Sequence, residues 1–167
     1  MVTKKGVALT VAIIGGFVAA SFLIYLIPQS PQSDIITLGD AKERLEFVMD
    51  RNKVVIDEFQ TVFRLWENGD IDKNTFDSSA DVSKEQVSMM ILELRGKQIP
   101  NEWNQSYVLF IQALDNYKAY IEKTKEYVDL KSTGQTGPEK ERGYLDAMSK
   151  ALDRAQSLTQ ESIDAMP

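Results

Sequence analysis

"LGDAKERLEFVMDRNKVVIDEFQTVFRLWENG", Leu38 to Gly69, decides the fold. Leu38, Ala41, Leu45, Val48, Asn52, Val55, Phe59, Val62 and Trp66 follow one another at alternating spacings of three and four. That is the period of an α-helix buried along one seam. Met49, Ile56 and Phe63 lie beside the stripe and widen it, so the helix is expected to face several neighbours and not one coiled-coil partner. Asn52, polar in an apolar row, is read as fixing the register of packing. Asn68-Gly69 ends the pattern, because glycine accepts the left-handed conformation that closes a helix.

Downstream the same logic repeats. Ser83 and Gln86 have the spacing of a capping box, and Val82 with Val87 that of a hydrophobic staple, which predicts a second helix from Ser83 with Met90, Ile91 and Leu94 on its core face. Pro100 stops it and opens a third, where Trp103, Tyr107, Phe110, Leu114, Tyr117, Ile121, Thr124 and Val128 again alternate four and three. "KSTGQTGPEKERG", Lys131 to Gly143, breaks the pattern, and Thr136 with Glu139 has capping-box spacing for a fourth helix. Its core face is Leu145, Met148, Ala151, Leu152, Ala155 and Leu158. Four amphipathic helices, short connections and no strand-like alternation predict an all-α fold, an up-and-down four-helix bundle over residues 38–167 whose second helix is the shortest.

Upstream lies a segment of another kind. Val7 to Ile27 is 21 residues without a charge, about 32 Å as a helix at roughly 1.5 Å per residue, against a hydrocarbon thickness of ~30 Å. Val18-Ala19-Ala20 resembles a signal-cleavage site, but "FLIYLIP" carries the apolar run past it, so a retained signal-anchor is expected. Tyr25 suits the membrane interface and Pro28 a helix stop. Lys4 and Lys5 precede the run and no Lys or Arg follows it until Lys42, which places the N-terminus in the cytoplasm and the rest outside the cell membrane. The chain is thus divided into a cytoplasmic stub and single-pass transmembrane helix at 1–27, a Pro/Gln/Ser spacer at 28–37 and an extracytoplasmic bundle at 38–167. Within the anchor, Ala8, Ala12, Gly16 and Ala20 recur every four residues, with Gly15 and Ala19 beside them. Such small-residue strips let membrane helices approach closely, so this face is read as packing against a partner's helix.

Composition removes most chemistry. There is no Cys and no His, hence no disulfide, thiol nucleophile, zinc ligation through thiolate or imidazole, copper–His centre or His-based triad. Beyond Lys5 the chain carries 17 basic against 25 acidic residues, net −8, a field that repels nucleic acid. "DIDKNTFDSSAD", Asp70 to Asp81, resembles a calcium loop at Asp70, Asp72 and Asn74, with Asp81 in the twelfth place. It departs from that pattern where the sharp turn needs glycine, at Thr75, and where an aliphatic residue packs, at Asp77. The preferred reading, which expects no metal site, has Gly69 as the end of the first helix, Ile71 on the core and Asp72 capping a short turn from Lys73 to Phe76. No phosphate loop, nucleophile elbow or SxxK motif occurs. No catalytic residue, small-molecule substrate or cofactor is expected. Asn104-Gln105-Ser106 forms a glycosylation sequon inside an apparent helix.

Two resemblances bear on function. "KKG" before the apolar run is similar to the basic leader of archaeal archaellins and type IV pilin-like proteins, which would imply a surface protein cut after Gly6. "IPNEWNQSYVLFIQALDNYKAYIEKTKEYVDL", Ile99 to Leu130, resembles a stretch in small membrane-anchored helical proteins of ammonia-oxidising archaea. That likeness implies an accessory subunit of a membrane enzyme such as archaeal ammonia monooxygenase, with metal and catalysis on other subunits. The residues themselves leave two classes open: a non-catalytic structural subunit whose partners are the bilayer and other membrane subunits, or an extracytoplasmic ligand-binding or sensory module.

Overall fold

The computed structural model describes residues 38–167 apart from positions 97, 135 and 136. The chain there is an all-α helical bundle. It is built from α1 (Leu38–Glu67), α2 (Lys73–Arg95), α3 (Asn104–Ser132) and α4 (Pro138–Asp164), with a 3₁₀ turn at Asn101–Trp103 ahead of α3. No strand forms among the described residues.

Ties between helices fix their directions. Glu93, near the end of α2, accepts from Arg44 at 3.2 Å and Arg51 at 2.9 Å, both in the first half of α1. From one end of the α2/α3 seam to the other run Lys73–Asp129, Lys84–Glu122 and Arg95–Asp115. Ser162 at the end of α4 donates to the carbonyl of Ser106 at the start of α3, and Lys131 meets Glu141 at the opposite end. Each helix is therefore antiparallel to the next, the up-and-down order. α1 runs parallel to α3, with the Tyr107 hydroxyl on the Ala41 carbonyl at 2.8 Å near one end and Phe63 against Tyr127 near the other. Exposed ion pairs are worth under ~1 kcal/mol each; their service here is to set register.

Burial follows the stripes. From Ala41 to Val62 every position of the α1 row is buried, Asn52 included, and Trp66 is half-buried. All eight predicted positions of α3, from Trp103 to Val128, are buried. Side chains at the tightest points carry the core: Phe59 lies 6.0 Å from Phe76 and 5.6 Å from Tyr120, ring to ring, where α1, α2 and α3 meet. The backbones of α3 and α4 lie close together along the most extensive seam of any helix pair. Ala147, Ala151 and Ala155 recur along α4, and small side chains are what permit such an approach.

Four expectations need correction. α2 begins at Lys73, capped by Asp72, whose carboxylate accepts from Thr75 N–H at 2.8 Å. Residues 73–81 are thus helix, and neither a loop nor a short turn. The reason is packing: Phe76 and Ala80 are both fully buried and extend the stripe of Ser83, Val87, Met90 and Leu94 upstream by two turns. The supposed capping box falls mid-helix. Ser83 donates to the Ser79 carbonyl, Gln86 is buried, and Val82 is partly exposed. For α4 the N-cap is Gly137 with Pro138 at the first helical position, not Thr136, which lies outside the described residues; proline's fixed φ suits that place and its missing N–H costs nothing there. Leu145, expected in the core, is 43% exposed; Tyr144, Met148 and Leu152 cover the seam instead.

The α1/α2 connection behaves as read from Gly69. Its φ of +75° lets its N–H reach the Trp66 carbonyl at 2.9 Å and the Asp70 N–H reach Leu65 at 2.9 Å, the paired bonds that satisfy orphan carbonyls at a helix end. Ile71, 7% exposed, then packs on the core.

The Asp72 cap gives a measurable result. Asp72→Ala should cost about 1 kcal/mol. The Thr75 N–H holds the Asp72 carboxyl below its usual range. A depressed folded pKa adds stability above the unfolded pKa and loses it as pH falls through the folded one. Urea unfolding should therefore show the full difference between wild type and variant at pH 7 and a smaller one below about pH 3.

Candidate functional site

At the end of the bundle remote from the start of α1, an open cleft of about 420 Å³ lies between the α1/α2 turn and the last turn of α3. Aromatic residues back it: Trp66 stacks on Phe63 at 6.0 Å and meets Tyr127 edge-on at 6.4 Å, and Phe76 supports both Phe63 and Trp66 from α2. Gly69 and Ile71 form its floor and rim with Lys73 and Lys131.

Both lysines are held by carboxylates. Lys73 pairs with Asp129 at 2.6 Å and with Asp77, and these two hydrogen bonds push its pKa up to about 12. Lys131 sits 2.6 Å from Glu141 and 5.7 Å above the Tyr127 ring, while the Tyr127 hydroxyl donates to the same carboxylate at 3.1 Å. Those donors lower the Glu141 pKa, and burial raises that of the Tyr127 phenol. The cleft therefore offers aromatic edges and ammonium groups already neutralised.

The residues singled out in the sequence are dispersed. Ala8, Ala12, Gly15, Gly16, Ala19 and Ala20 lie outside the described residues. Of the calcium candidates, Asp70 and Asp72 are in the connection and Asn74 and Asp81 on α2. Asp72 is committed to its cap, and Asp81 pairs with Lys125 of α3. Among the described residues no group of three or more Asp and Glu side chains is arranged to hold a metal ion. Asn52 is 3% exposed and its side-chain oxygen lacks a partner, a cost consistent with a position that specifies register more than it stabilises.

Sequence reasoning missed Glu93 as the tie between α1 and α2. Arg44 and Arg51 stand seven apart on the flank of the α1 stripe, and that spacing on one helix face was the available signal. Glu58, on the same flank, has its pKa raised by partial burial.

No helix among the described residues is long and apolar enough to cross a membrane; the run from Val7 to Ile27 and the spacer after it lie outside them. No protein-family model matches this chain, and neither a curated protein nor a solved structure matches it.

Proposed function

We propose that this chain is a non-catalytic, single-pass protein of the cell membrane, an accessory subunit that holds a complex together through its membrane helix and its extracytoplasmic bundle. The observation that carries the reading is the uncharged run from Val7 to Ile27, preceded by Lys4 and Lys5 and joined by ten residues to α1. A helix of that length spans a bilayer, and the basic flank stays inside. The bundle supports this role through its economy: its inter-helix carboxylates and ammonium groups pair with one another, as in a scaffold. The likeness of Ile99–Leu130 to archaeal membrane-anchored proteins points the same way, toward a subunit of an enzyme such as ammonia monooxygenase.

A second reading, a ligand-binding or sensory module, draws on the cleft beside Trp66 and Tyr127, whose volume falls in the usual range of roughly 300–1,000 Å³ for small-molecule sites. The pilin-like surface protein is the remaining alternative.

Intact-mass measurement on protein from native membranes separates these. The proposal expects a chain that retains Lys4 to Ile27. A mature N-terminus at Ser21 means secretion and contradicts it, and one at Val7 supports the pilin-like alternative.

A further inference from the structure

The sequon Asn104-Gln105-Ser106 sits where the 3₁₀ turn passes into α3. Asn104 and Gln105 are exposed, and Ser106 is fully buried. The Ser106 carbonyl is in use, accepting from the Ser162 hydroxyl at 2.7 Å, whereas its own hydroxyl has no hydrogen-bond partner. A buried hydroxyl without a partner destabilises a fold. Ser83, Thr124 and Ser162, buried likewise, each donate to a carbonyl. Alanine at 106, smaller by one oxygen, would keep the carbonyl that accepts from Ser162 and permit the same approach of α4. The Ser106 hydroxyl thus makes no hydrogen bond in the folded domain that alanine would lose.

We infer that this hydroxyl serves before the domain folds, as the second recognition residue of an N-glycosylation acceptor, and that Asn104 carries a glycan. The inference rests on the extracytoplasmic placement proposed above, since acceptor sequons are read on that side of the membrane. The donor is a sugar carried on a polyprenyl phosphate or pyrophosphate. The bond from sugar C1 to phosphate oxygen breaks, a bond from C1 to Asn104 Nδ2 forms, Nδ2 gives up one proton, and the lipid phosphate leaves. The unfolded segment offers Asn104 and Ser106 together; once α3 and α4 pack, Ser106 is sealed. The product fits the fold. Asn104 is at the surface, and its Nδ2, 3.4 Å from Asn101 Oδ1, keeps one N–H for that contact after glycosylation.

Peptide and intact mass of the full-length protein from its native membranes provide the test, with variants expressed in the same cells. The peptide containing Asn104 should carry added sugar mass in wild type and Ser106→Thr, and none in Asn104→Gln or Ser106→Ala. Ser106→Ala should melt no lower than unglycosylated Asn104→Gln, which a structural role for the hydroxyl would not allow. A bare Asn104 in wild type overturns the inference, as does a glycan that survives Ser106→Ala. Protease accessibility of the bundle in sealed vesicles separates the causes: an external bundle with a bare Asn104 defeats this inference alone, and a cytoplasmic bundle defeats the placement as well.

Discussion

Phe59→Ala should destabilise the bundle by about 4 kcal/mol, the amount typical of deleting a fully buried phenylalanine whose cavity cannot collapse. Phe59 is 0% exposed. Its ring is contacted by Phe76 from α2 and Tyr120 from α3, so its loss removes the apolar contact shared by three helices and leaves each held elsewhere along its length. Relaxation of one helix into the space is opposed by the ties on either side, Arg51–Glu93 toward one end and Lys73–Asp129 toward the other. Edge-to-face ring pairing adds about 1 kcal/mol beyond area burial. In thermal unfolding of a domain this size the drop should be about 15 °C. Phe59→Leu should cost about a third as much, because most of the volume stays. A loss below about 1 kcal/mol for the alanine variant would mean that the three helices do not converge on this ring.

Ala155→Leu should cost about 3 kcal/mol, at the upper end of overpacking effects. The register set by Ser162–Ser106 and Tyr127–Glu141 puts Ala155 level with Ala113 on α3. Both are 0% exposed, in the most extensive helix–helix seam of the bundle. A leucine there has no empty space to enter; α4 must lift away, breaking the Ser162 bond and uncovering Tyr117 and Tyr120. Limited proteolysis should then cleave α4 faster than α1 to α3, because local stability falls where packing is lost. Ala155→Ser, nearly isosteric, should stay within about 1 kcal/mol of wild type. Equal tolerance of leucine and serine would contradict the close α3/α4 approach.

The stripes of α1 and α3 were legible because each is long and its apolar period is unbroken, so local pattern and tertiary burial agree. The start of α2 was not legible. Between Asp70 and Asp81 the residues Asp, Asn, Thr and Ser favour turns and caps, and only Phe76 and Ala80 mark a buried face. Tertiary packing on the Phe59, Phe63 and Trp66 rings outweighed local preference there. The capping-box spacing at Ser83 is satisfied inside a helix as readily as at its start; the pattern names compatible side chains and not the backbone that uses them. Leu145 was misplaced for a related reason, since periodicity cannot tell the seam of a narrow Ala-rich contact from its flank. The cleft by Trp66 could not have been foreseen, as it depends on how the α1/α2 turn sits against the end of α3.

The proposed role depends on association with another subunit through the small residues of the anchor. In the sequence, Phe17, Phe22, Leu23, Ile24 and Leu26 fall in the second half of the proposed anchor, while Ala8, Ala12, Gly16 and Ala20 recur every four residues. In lipid, helices associate by packing, which such a line permits and a β-branched side chain obstructs. The most direct measurement is the native mass of the full chain purified in mild detergent, wild type against Gly16→Ile. Wild type should run as a particle of defined stoichiometry well above the 18.9 kDa chain, containing another membrane subunit, and the variant as free 18.9 kDa chain with an intact helical bundle. A monomeric wild type, or a complex that survives Gly16→Ile unchanged, would contradict it.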